Sequence, residues 1–120
     1  MAREIASWDR KFQVWHYSVA HSVLLLRSYH AQKYTTRIDI LFPAVALMRL
    51  QPSYEPLTIQ EAGPEEIDRL VSDRAGKADR GRLFLLNGGE GYVRAADCAW
   101  HEDEGDHRAP SHFGPLRGTA

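Results

Sequence analysis

Thr36 to Leu50 is the longest apolar region of the chain and the one that most limits its folding. Ile38, Ile40 and Phe42 fall on one face of an extended backbone, and Arg37 and Asp39 fall on the other. Pro43 interrupts the run, because proline has no N–H to give to a central ladder. A second apolar run, Val45 to Leu50, follows at once. The pattern predicts two short strands joined by a tight turn or bulge, with further strands and one helix covering the pair.

The flanking segments read as more β structure. Phe12, Val14 and His16 alternate with Gln13, Trp15 and Tyr17, and Val23 to Leu26 is continuously apolar. These residues suit either a hairpin of strands 11–18 and 22–29 or one helix over 14–29, whose stripe would be Trp15, Val19, Val23 and Leu26. Aromatic and β-branched types dominate 12–19, which favours the hairpin. Residues 1–9 read as a lead-in anchored by Ile5 and Trp8, residues 28–36 and 51–56 as loops, and Leu57 to Gln60 as a short strand. The helix signal lies at Gly63 to Glu66, where Pro64 takes a first helical position and two acids sit in the first turn. Ile67, Leu70 and Val71 then give an apolar stripe, and Gly76 supplies a stop, so an α-helix is expected over 64–75. Arg82 to Leu86 reads as a strand covered on both faces, Asn87 to Gly91 as a hairpin turn, and Tyr92 to Trp100 as the return strand.

Together these predict one α+β, mostly β domain over residues 1–107. It would be an antiparallel sheet, or a partly open β-barrel or sandwich, of about six to seven strands with one helix. Residues 108–120 read as a flexible C-terminal tail. At 120 residues the chain can bury roughly two-thirds of its unfolded surface. A formal charge of −1 argues against a nucleic-acid binder, and no apolar run is long enough to span a bilayer. The charged N-terminus has no signal-peptide core, and the single cysteine, Cys98, excludes an internal disulfide. A cytoplasmic protein is expected.

Chemistry-bearing groups are few. His101 and His107 flank four carboxylates, Asp103 among them, and together offer nitrogen and oxygen ligands for a divalent metal. Their spacing matches neither a calcium loop nor a zinc-hydrolase helix, and a solvated acidic end of a hairpin is the plainer reading. His16 and His21 would need a carboxylate such as Asp39 or Asp97 for acid–base work. Cys98 beside Asp97 reads as a small buried side chain with a raised pKa. Trp15, His16, Tyr17, Trp100, Glu102 and Glu104 are the candidate partner or ligand surface, as aromatic anchors and an acidic edge.

The sequence from Ile38 to Val45, then Leu47, Leu50 and Leu57 to Ile59, resembles a pattern in small bacterial β-rich proteins. Some of these are immunity proteins that neutralise a toxin. The stretch from Gly91 to Gly105 is also similar to a feature of bacterial β-rich proteins with no assigned activity. The resemblance covers residues 36–60 most closely and contains no active-site residue, so it implies no residue roles. The lack of a catalytic signature, the acidic run at 102–106 and the many aromatic residues favour a non-catalytic, immunity-like or accessory factor acting on a partner protein, with no bound cofactor; a homodimer is a further expectation. A second expectation is a small-ligand-binding protein or accessory enzyme of bacterial secondary metabolism. Its β-barrel mouth would be lined by Trp15, His16, Tyr17 or His101. A third is metal binding at 101–107.

Overall fold

In the computed structural model, residues 2–71, 81–105 and 111–113 are described. Among these residues, ten strands form two antiparallel five-stranded sheets. The strands are β1 (Arg3–Trp8), β2 (Phe12–Ser18), β3 (Val23–Ser28), β4 (Arg37–Phe42), β5 (Leu47–Arg49), β6 (Ser53–Tyr54), β7 (Leu57–Glu61), β8 (Arg82–Leu86), β9 (Gly91–Ala95) and β10 (Ala99–Asp103). The first sheet runs β1-β7-β8-β9-β5 and the second β10-β4-β3-β2-β6. Among the described residues one α-helix, α1 (Pro64–Val71), lies between β7 and β8 in the chain. The expected mostly β, antiparallel α+β class is what forms, as two sheets facing each other and not as a closed barrel.

The core lies between the sheets. Leu24, Leu26, Ile38, Ile40 and Phe42 come from the second sheet, and Leu57, Ile59, Phe84, Leu86 and Val93 from the first. Phe42 and Phe84 meet edge to face across the gap, with ring centroids 5.7 Å apart. A smaller cluster fills the other face of the first sheet. There Leu83, Leu85 and Tyr92 pack against Ile67 and Leu70 of α1. This explains why Arg82 to Leu86 is apolar on both faces. The helix opens as expected: the Gly63 carbonyl accepts the Ile67 N–H, and Glu66 accepts the Gly63 N–H at 2.8 Å. Residues 72–75 of the expected helix, and Gly76, lie outside the described residues.

Four expectations need correction. The runs on either side of Pro43 do not pair: β4 belongs to the second sheet and β5 to the first. Ala44 has a positive φ of 53°, and the Ala46 N–H donates to the Arg94 carbonyl at 2.7 Å, which delivers the chain to β9. The return strand 92–100 likewise divides into β9 and β10, in different sheets. Asp97 accepts its neighbour's backbone N–H, that of Cys98, at 2.8 Å, and such local bonding competes with a ladder. The two crossovers clasp each other, since the Ala96 N–H donates to the Pro43 carbonyl at 3.0 Å. Residues 1–9 are not only a lead-in, because β1 pairs along β7. Ile5 and Trp8 both reach the core although they are an odd number of residues apart, and a bulge between Glu4 and Ala6 permits this. The loop 51–56 contains the two-residue strand β6. These changes raise the strand count from seven to ten among the described residues.

The hairpin of β2 and β3 forms, and the alternative helix over 14–29 does not. Its faces differ from simple alternation. A bulge between Val14 and His16 puts Tyr17 opposite Leu24 on the core side and His16 opposite Leu25 on the outer side. Phe42 is fully buried in the middle of this assembly. Truncating it (Phe42→Ala) is expected to cost about 3–5 kcal/mol in urea unfolding. A loss under about 1 kcal/mol would mean that the two sheets are not packed through this side chain.

Candidate functional site

The outer face of the second sheet is the most unusual surface in the fold. Cross-strand register aligns Gln13, Arg27, Asp39 and His101 in one row over β2, β3, β4 and β10. Arg27 and Asp39 form a two-pronged ion pair, with Nε to Oδ1 at 2.6 Å and Nη2 to Oδ2 at 3.0 Å. Their side chains are only 4% and 2% exposed. The Arg27 guanidinium also lies 5.0 Å from the centre of the Trp15 ring. Trp15 is the residue displaced by the β2 bulge, and 39% of it remains exposed. A charged pair buried in the sheet surface thus braces a solvent-facing indole.

The edge beside Trp15 is open. β6 covers only Phe12 and Gln13 of β2, and the Val14 N–H reaches the Pro52 carbonyl at 2.9 Å. Among the described residues, no strand flanks positions 15–18 on that side. Val14 stands on the core side of this rim, and Val19, 81% exposed, sits in the turn that follows. Next to them, the Nε2 of His16 is buried and has no hydrogen-bond partner among the described residues.

The six residues expected to form one surface are not brought together. Trp15 and His16 lie on the outer side of β2, while Tyr17 packs against the core. Trp100 is on β10, at the opposite edge of the sheet. It lies opposite core residue Ile40 and meets Trp8 edge to face at 5.5 Å. Three strand spacings, about 14 Å, separate β2 from β10. Glu102 is exposed but engaged: its carboxylate accepts the Thr36 hydroxyl at 2.6 Å and lies 3.8 Å from Arg10. Glu104 lines a cleft beside Tyr29 and Tyr34.

His101 and Asp103 share a face of β10, but their partners differ. His101 stacks on His112 with centroids 3.7 Å apart, so this part of the tail sits against β10. Asp103 accepts from Arg37 Nε at 3.0 Å and Nη2 at 2.8 Å, and from the Gly105 N–H at 3.0 Å. His107 lies outside the described residues. Among the described residues no group of three metal-ligating side chains converges. Trp15, His16, Tyr17 and His101 line neither of two open clefts of about 370 and 340 Å³. Cys98 is buried, and desolvation together with Asp97 pushes its thiol up to about 12, which fits the expected inert role.

The clefts are what sequence reading missed. Both adjoin Tyr29 and Tyr34 in the loop between β3 and β4. No spacing rule marks them, since their walls come from separate loops and strand ends. In comparisons with known proteins, no family model, curated protein or solved structure matches this chain.

The Arg37 contact sets a pH dependence. Its hydrogen bonds hold the Asp103 carboxyl below the ordinary range, so the contact stabilises the fold above the unfolded carboxylate pKa of about 3.9. That stability is lost as pH falls through the lower folded value. Asp103→Asn is expected to lower stability by about 1.5–3 kcal/mol at pH 7, and the loss should shrink toward pH 2. Thermal melts of both proteins from pH 7 to 2 check this; a pH-independent gap would contradict the charge-based origin.

Proposed function

We propose that this chain is a small non-catalytic binding protein, immunity-like or accessory, which acts in the cytoplasm on a partner protein through the Val14–Trp15–Val19 rim of β2. One observation carries the reading. Of the five large apolar side chains that stand exposed among the described residues, three are Val14, Trp15 and Val19 on this single rim. Isolated exposed apolar groups are ordinary, but three within six residues along an open strand edge favour an interface. Trp is also the residue type most often found as a binding anchor.

Bracing by Arg27 adds to this. An indole already held in place loses little rotamer freedom on binding, so more of its burial appears as affinity. The β2 bulge also speaks to the mode of contact. A bulged, short open edge is poorly suited to long strand addition by a second copy, so side-chain anchoring takes precedence over backbone pairing.

The test is a comparison of wild type with Trp15→Ser as baits in extract from the source cell. The exposed substitution should leave the melt within about 1 kcal/mol of wild type, the size of an exposed cation–π contact. A polypeptide that wild type retains should be lost by the variant at least about tenfold, as expected for a hot spot worth over 1.4 kcal/mol. Equal retention by both proteins would remove the rim from the account.

A further inference from the structure

The larger cleft, about 370 Å³, falls within the roughly 300–1,000 Å³ range of small-molecule sites. We propose that it binds a small monoanion with a flat apolar body, of the aryl carboxylate kind. The inference rests on residues other than the Trp15 rim.

Charge comes first. Lys11, Lys33 and Glu55 line the cleft, which leaves one net positive charge. Glu55 does not cancel Lys33 firmly: the two stand 3.6 Å apart with 49% and 59% of their side chains exposed. Such a pair contributes little and yields readily to an incoming carboxylate. His30 adds a donor. Its Nδ1 accepts the Gln32 N–H at 3.2 Å, so in the neutral ring the proton is on Nε2.

The walls come next. Tyr34 is fixed before any ligand arrives. The Arg10 guanidinium lies 4.2 Å from the centre of its ring, and the Tyr34 hydroxyl accepts the Lys11 N–H at 3.0 Å. Arg10 is itself locked: Nε and Nη1 donate to the hydroxyls of Ser28 and Thr36 at 2.9 and 2.8 Å. Its Nη2 donates to the carbonyls of the same two residues at 3.2 and 2.7 Å. A preset aromatic wall lowers the ordering cost of binding.

The neighbouring cleft serves as an internal comparison. It shares Tyr29 and Tyr34 but adds Glu104, and no lysine is among its lining residues. The same rings therefore face a cationic space on one side and an acidic one on the other. This assigns the anion to the Lys11–Lys33 side.

The experiment is an amide NMR titration of the full chain with benzoate, inorganic phosphate and benzyl alcohol at matched ionic strength. Benzoate should give saturable shifts at residues 11, 13, 29–34 and 55, and phosphate and benzyl alcohol should bind far more weakly. The Lys11→Gln/Lys33→Gln double variant changes only solvent-facing side chains, and its spectrum should stay dispersed while benzoate affinity falls about tenfold. Phosphate binding as tightly as benzoate would overturn the aromatic part of the proposal. Unsaturable benzoate shifts, or equal affinity in the double variant, would overturn it entirely.

Discussion

Arg27 and Asp39 occupy the outer face of the second sheet with almost none of their surface in water. Burying two charges is costly, and the pair is tolerated because both prongs of the guanidinium find carboxylate oxygens. The pair also opposes slippage. Arg27 and Asp39 are direct cross-strand partners, so moving β4 by one residue would set Arg27 against Ile38 or Ile40 and turn charges toward the core. The ion pair and the inner apolar row therefore specify the same register. Trp15 depends on that register, because the guanidinium that braces it is paired with Asp39 across the β3–β4 ladder.

The second constraint is the pair of clasped crossovers. Chain leaving β4 and chain leaving β9 each change sheets, and they meet where Pro43 accepts the Ala96 N–H. The contact ties the sheets at one corner and brings β10 beside β4. The Arg37–Asp103 and Thr36–Glu102 contacts follow from that placement.

Strand and helix identities were legible where local pattern decides them. The alternation of Ile38, Ile40 and Phe42, the hairpin of β2 and β3, and the proline-led start of α1 all formed as read. Outside the two hairpins, pairing partners were not legible, because period-two alternation names a face without naming a neighbour. Both bulges hid faces as well: Ile5 and Trp8 look mismatched, and Trp15 and Tyr17 look alike, until one extra residue is inserted. Trp15 could be chosen from its type alone. Its bracing by Arg27, 12 residues away in the chain, could not, since it needs the β2–β3 register. The Tyr29–Tyr34 clefts lay further out of reach, being assembled from Lys11, the 29–36 loop, Glu55 and Glu104.

If the outer face works through an indole held by a buried ion pair, the rigidity of that indole is the quantity to measure. Relaxation of the three tryptophan indole N–H groups by ¹⁵N NMR distinguishes them within one molecule. In the wild type, Trp15 should be nearly as ordered as Trp8, which packs between Phe12 and Trp100. In Asp39→Asn, Trp15 should loosen while Trp8 and Trp100 keep their order. A Trp15 already mobile in the wild type, or one unchanged when Asp39 is neutralised, would contradict the account.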